Sequence, residues 1–210
     1  MEKLDKLRFV LITDRRLAEL PLLETIRLAL EGGVSTVQLR EKDLDSRGLF
    51  FLASELRRMT SDYQANLIIN DRADVALAVD ADGVHLGKDS MPLRDIRRLI
   101  GPSRLIGFSA HNMQEAVAAE EGGADYITLS PIFQSPGKSK PISPRAILMI
   151  KEHVRIPVIA LGGIKEENVQ EVLASKADGI AVLSGIMASA EPEKQARLLR
   201  DKLNSHKSMR

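Results

Sequence analysis

The chain of 210 residues contains no cysteine, which removes disulfides, thiolate zinc sites and a cysteine nucleophile, and fits a reducing compartment. Aromatic residues are scarce at 3%, so stacking platforms for single-stranded nucleic acid have little to be built from. An excess of one charge is missing as well: 30 Lys and Arg stand against 29 Asp and Glu, for a formal net charge of +1. That balance creates no global field toward DNA or a membrane surface, and any anion must be met by a local cluster of cations. Long apolar runs are also missing. No stretch reaches the roughly 18 apolar residues of a membrane span, and Met1-Glu2-Lys3-Leu4-Asp5 places charges where a signal peptide needs an apolar core. The expectation is a cytoplasmic protein with small-molecule partners, no nucleic-acid or membrane partner, and an oligomeric state left open, a homo-oligomer included.

The hydrophobic fraction of 44% must therefore form a core of Leu, Ile, Val and Ala. Short β-rich runs alternate with segments of three- and four-residue apolar spacing, without a linker or low-complexity break. The runs are Phe9–Thr13, Thr36–Arg40, Leu67–Asn70, Gly83–Leu86, Leu105–Ser109, Tyr126–Ser130, Val158–Leu161 and Ile180–Leu183. Gly32-Gly33, Asp82-Gly83, Gly122-Gly123 and Asp178-Gly179 precede strands, where a helix needs a left-handed C-terminal residue. Eight such units in a chain of this length predict a single-domain (βα)8 TIM barrel over 1–210, with 204–210 a frayed tail. The competing open doubly wound sheet needs a glycine-rich fingerprint after its first strand, and Thr13-Asp14-Arg15-Arg16 stands there instead.

A barrel builds its site at the carboxyl ends of its strands. Those ends carry Asp14, Arg40 and Lys42, Asn70-Asp71, His85 with Lys88-Asp89-Ser90, Ser109 and His111, Ser130 and Phe133, Gly162-Gly163, and Ser184-Gly185. In Val37-Gln38-Leu39-Arg40-Glu41-Lys42-Asp43, strand alternation puts Gln38, Arg40 and Lys42 on one face. The glycines after strands seven and eight occupy places where barrels commonly bind phosphate through backbone N–H groups. The unpatterned segment 134–143 holds Lys138 and Lys140 and reads as a lid or binding loop, or as a surface segment. Arg40, Lys42 and Lys138 together suit a di- or polyphosphate. Asp71 is read either as a magnesium ligand beside phosphate oxygens or as a helix N-cap. His85, inside an apolar run, suits a hydrogen-bonded structural role, and His111 a rim or capping role.

The blocks QLREK (38–42), INDRADVAL (69–77), DGVHLG (82–87), GFSAH (107–111), GADYITLSPIF (123–133), IPVIALGGI (156–164) and ADGIAVLSGI (177–186) follow one another along the chain. In this order and spacing the sequence resembles the superfamily of thiamine phosphate synthase and thiazole tautomerase. The resemblance implies a transferase of thiamine biosynthesis that joins hydroxymethylpyrimidine diphosphate to thiazole phosphate with loss of pyrophosphate. It implies that Arg40, Lys42, Asn70 and Lys138 hold the diphosphate. Gln38 and Ser109 would meet the pyrimidine or the charge developing on it, with His85 among the substrate-binding residues. Asp71 would bind Mg²⁺. Gly163, Leu183, Ser184 and Ser135 would hold the thiazole phosphate. Two positions depart from the pattern. Ser90 stands where the synthases carry a second metal-binding aspartate, which leaves Asp89 as the alternative carboxylate. Pro131 stands where tautomerases carry a histidine. The alternative readings are a thiazole tautomerase and a non-catalytic protein that binds a thiamine precursor.

Overall fold

The computed structural model describes residues 2–134 and 140–207. Eight parallel strands close into a barrel in sequence order: β1 (Phe9–Ile12), β2 (Thr36–Leu39), β3 (Asn66–Asn70), β4 (Gly83–Leu86), β5 (Leu105–Ala110), β6 (Tyr126–Leu129), β7 (Val158–Leu161) and β8 (Gly179–Val182). Closure is made by β8 against β1, with Phe9 opposite Ile180 and Leu11 opposite Val182. The predicted barrel is the observed one, and every predicted run is a strand to within a residue at either end.

Strand alternation divides the core into two compartments. Val37, Leu39, Ile69, Val84, Leu86, Ile127, Leu129, Val158 and Ile180 point outward against the helices. Val10, Ile12, Ile68, Leu105, Tyr126, Ile159 and Ala181 point inward and fill the barrel together with Leu7. Because the outer helices cover every strand, both faces of each strand are buried. The strands therefore read as continuous apolar runs, interrupted only where an inward position turns polar. Those inward polar positions are Thr36, Gln38, Asn66, His85 and Thr128, all buried, with Asn70 and Ser109 half-buried nearer the strand ends.

The turns correct part of the sequence reading. Gly33 (φ 106°) and Gly123 (φ 95°) do take the left-handed conformation after their helices. Before β4 and β8 that conformation falls instead on Asp80 (φ 52°) and Lys176 (φ 62°). Gly83 and Gly179 are strand residues, where a Cβ would run into the backbone of Leu105 and of Leu7 and Arg8 respectively. Their glycine is a matter of close strand approach, not of turn geometry. The last helix runs Pro192–Lys207, so residues 204–207 are helical where a tail was expected. Leu203 is its last buried apolar residue, and Ser205 Oγ donates to the Asp201 carbonyl beyond it at 2.8 Å, so the helix continues without an apolar stripe to announce it.

Candidate active site

At the carboxyl end of the barrel the polar inward positions form two hydrogen-bonded chains. In the first, Gln38 Nε2 on β2 donates to Asn70 Oδ1 on β3 at 3.2 Å. Asn70 Nδ2 donates to Asp71 Oδ2 at 2.7 Å. Ser90 Oγ, in the loop after β4, donates to Asp71 Oδ1 and itself accepts from the Gly87 N–H at 2.8 Å. Asp71 holds a left-handed backbone (φ 59°), a conformation that aspartate tolerates better than most side chains. Its carboxylate caps no helix: the helix Ala73–Ala78 begins after Arg72 without a side-chain cap. Of the two sequence readings of Asp71, the N-cap is therefore the one that fails.

The second chain lies deeper. His85 Nδ1 meets the Tyr126 hydroxyl at 3.2 Å, and its Nε2 meets Ser109 Oγ at 3.0 Å and Thr128 Oγ1 at 3.3 Å. Burial pushes the imidazole down to about 3, with the nearby Arg40 guanidinium adding to the effect, so the ring is neutral at physiological pH. Burial also pushes the Tyr126 phenol up, so its proton stays in place. That hydroxyl has no other partner among the described residues. It therefore donates to Nδ1, the ring proton sits on Nε2, and Nε2–H donates to Ser109. The Ser109 hydroxyl proton is thereby left without an acceptor among the described residues. Gly107 makes the chain possible, since a Cβ there would collide with the Tyr126 ring and His85 Nδ1.

The stretch after β2 resolves by exchange of partners. Arg15 takes both acids: its Nη1 reaches Glu41 Oε2 at 3.0 Å, its Nη2 reaches Asp43 Oδ2 at 2.8 Å, and its backbone N–H donates to Glu41. Arg16 pairs with Asp14 at 2.8 Å. Arg40, whose N–H donates to Thr13 Oγ1 at 3.0 Å, and Lys42 make no ion pair among the described residues. Gln38 is buried, Arg40 half-buried and Lys42 exposed. The strand ends at Leu39, so Lys42 leaves the shared face expected for it. It lies instead beside Asn70 and Asp71 around a cavity of about 300 Å³ between the ends of β2 and β3.

On the far side of the mouth, Gly162 (φ 102°) and Gly163 (φ 65°) follow β7. Their missing side chains let the segment after β6 pack close, since a Cβ on Gly163 would stand 2.8 Å from Phe133 Cβ. Asn168 Nδ2 ties down the Gly163 carbonyl at 2.9 Å. Leu183 precedes the short helix Ser184–Met187 after β8. His111 does not cap a helix with its ring: Nδ1 donates to the Ser130 carbonyl at 2.7 Å, while Asn112 makes the cap. Asp89 is exposed, and it is Ser90, not Asp89, that reaches Asp71. Ser135 and Lys138 lie outside the described residues.

Sequence reasoning missed Tyr126, Thr128 and the Arg15 clamp. The first two carried a signal, because Tyr126 and Thr128 share the inward parity of their strand with polar atoms. The clamp carried none, since it joins residues 26 and 28 positions apart.

Comparisons with known proteins point to one family. The family model described as thiamine monophosphate synthase matches residues 9–186. The thiamine-phosphate synthase of Clostridium acetobutylicum is 42% identical over 95% of this chain and 97% of its own, and that of Pyrococcus abyssi is 42% identical over 93% and 94%. The solved thiamine phosphate pyrophosphorylase of Pyrococcus furiosus superposes with a TM-score of 0.90 at 40% identity, covering 96% of this chain and 98% of that one. Because the family match begins at the first residue of β1 and ends within the short helix after β8, spanning both halves of the rim just described, the chain belongs to the thiamine monophosphate synthase family.

Proposed function

We propose that the protein is a thiamine-phosphate synthase, a transferase that couples hydroxymethylpyrimidine diphosphate to thiazole phosphate. The observation that carries this reading is the pair of cations Arg40 and Lys42, which make no ion pair among the described residues, at a rim where Arg15 has drawn off Glu41 and Asp43. A guanidinium and an ammonium so placed suit a multiply charged leaving group better than they suit proton transfer. In this reading Arg40, Lys42, Asn70 and Lys138 hold the diphosphate. Gln38 lies against the pyrimidine, and the Ser109 hydroxyl, oriented by His85, presents its proton there. The backbone at Gly163, Leu183 and Ser184, with Ser135, holds the thiazole phosphate on the opposite side.

The reaction follows from alignment and charge. The carbon–oxygen bond to the diphosphate breaks, pyrophosphate leaves on the cations, and the thiazole nitrogen forms the new carbon–nitrogen bond to the electron-poor methylene carbon. No strong base is required, and the buried imidazole, held neutral, supplies none. The isomerase alternative is not favoured, because Pro131 stands where a proton-transferring histidine is needed.

A magnesium ion is implied by the family. Among the described residues no three acidic or histidine side chains gather at one point, but magnesium is commonly held by one or two carboxylates with substrate phosphate oxygens completing its shell. Asp71, fixed by Asn70 and Ser90, fits that role, and Asp89 is the second carboxylate of this reading. When bound, the ion would neutralise charge on the leaving pyrophosphate. The deciding experiment incubates the protein with Mg²⁺ and both substrates and quantifies thiamine phosphate and pyrophosphate. Equimolar products are expected, and binding of thiazole phosphate without products would overturn the assignment. Arg40→Ala should lower kcat/KM by about 100-fold, in the range of a lost charge-stabilising donor.

A further inference from the structure

At the opposite end of the barrel lies a larger cavity, of about 430 Å³, that the coupling reaction does not use. It opens to solvent and is lined by the N-terminal helix Glu2–Asp5, the helix Ser46–Asp62 and the turns leading into β4 and β5. Lys3, Arg57 and Arg104 face Asp80 and Asp82 across it, so the lining carries one positive charge in excess.

The two acids differ in how far they are engaged. Asp82 accepts from the Leu67 N–H at 2.9 Å and pairs with Arg57 at 2.7 Å and Lys3 at 3.3 Å. Burial pushes its carboxyl up, but these donors outweigh the burial and hold it below the usual range. The Asp80 carboxylate is 89% exposed and pairs, among the described residues, with Arg104 alone, at 2.7 Å, a pair of the kind that contributes little in water. The Nε–H groups of Arg57 and Arg104 are both buried without a partner among the described residues. The residues around them therefore leave each guanidinium with a donor to spare. Closing the floor of the barrel accounts for the Asp82 cluster, but not for the surplus charge, the open volume or the two unmet donors.

We propose that this cavity is a second anion site, selective for a compact phosphoryl dianion. Arg104 is its recruitable cation, because the anion can replace the loosely held Asp80, and Lys3, held by Asp82 at 3.3 Å and the Ser103 carbonyl at 3.4 Å, stands beside it as the second positive charge. A guanidinium that turns its Nε–Nη edge toward the anion meets two phosphoryl oxygens at once. The volume leaves room for a free phosphate or for the phosphate of a small monoester.

The test is equilibrium binding of inorganic phosphate and of glycerol 3-phosphate at constant ionic strength in chloride. It compares the wild-type chain with Lys3→Gln, Arg104→Gln and Arg104→Lys. Wild type should bind with a stoichiometry one higher than the Arg104→Gln protein, and Lys3→Gln should weaken that site at least 10-fold. Arg104→Lys keeps the charge but lacks the side-on edge, and should fall between. Coupling kinetics should be unchanged in all three, which separates this site from any phosphate bound at the β7–β8 loops. Tighter binding of glycerol 3-phosphate identifies a monoester site, and tighter binding of inorganic phosphate a free-phosphate site. Equal stoichiometry and affinity in wild type, Lys3→Gln and Arg104→Gln, or no phosphate bound by wild type at this site in chloride, would overturn the proposal.

Discussion

Gly107 and His85 show how far single residues set the site. A methyl group at position 107 would stand 2.5 Å from the Tyr126 hydroxyl and closer still to the ring and to His85 Nδ1. Both side chains are buried and hydrogen-bonded to each other, so neither can swing aside. Gly107→Ala should therefore destabilise the fold by about 3 kcal/mol, the upper part of the usual range for overpacking. It should also lower kcat through Ser109; urea unfolding and steady-state assays read the two effects. His85 makes a separate prediction about pH. Its folded value of about 3 lies below the ordinary histidine value of 6.5, so between these two the unfolded chain binds the extra proton. Stability contributed by the neutral ring is complete above pH 6.5 and declines as pH falls toward 3, with a slope of at most about 1.4 kcal/mol per pH unit. His85→Gln should flatten that slope in denaturant titrations between pH 4 and 6.5, while lowering stability at pH 7. An unchanged slope would mean that the imidazole is not held neutral.

At the scale of elements, the segments after β1 and β2 are held to each other by Arg15. Glu41 Oε atoms accept both the Arg15 N–H and its guanidinium, and the carboxylate is only 1% exposed while Arg15 is 34% exposed. Glu41→Gln keeps the shape and removes the charge, so it should cost about 1–2 kcal/mol, less than a fully buried pair because Arg15 is partly solvated. Hydrogen–deuterium exchange should quicken at residues 14–16 and 40–43, and not at β5 or β6. This is also where the sequence stopped being readable. Alternation in VQLREKD holds through Leu39, which is why Gln38 and Arg40 fall where parity puts them. It fails at Lys42, because the strand has ended and a turn intervenes. Nothing local marks that ending, since the side chain that captures Glu41 comes from the loop after β1. Ser90 illustrates a related limit. Read as a missing aspartate it signifies loss, whereas in the fold its hydroxyl orients the carboxylate that remains.

For the molecule as a whole, the barrel was legible because its signal repeats: each strand is an apolar run bounded by turn residues, and closure follows once eight such units are present. Which glycines close the barrel was not legible, because a turn glycine and a strand glycine look alike in sequence. Gly179 is of the second kind. It lies on β8 beside the chain entering β1, and a Cβ there would stand 2.5 Å from the Leu7 carbonyl oxygen and 2.8 Å from Arg8 Cα. Both are backbone atoms, so relief requires β8 and β1 to part. Gly87, by contrast, has open space around the same position and no left-handed φ. Gly179→Ala should therefore cost about 3 kcal/mol and lower Tm by roughly 6–12 °C for a chain of this size, while Gly87→Ala should stay within about 0.5 kcal/mol. Because Leu183 and Ser184 follow directly on β8, opening the seam displaces the proposed thiazole phosphate loop as well. KM for thiazole phosphate should then rise in Gly179→Ala more than KM for the diphosphate substrate, whose proposed ligands among the described residues lie at the ends of β2 and β3. Equal changes in both would place the effect in global loosening and not in the β8–β1 seam.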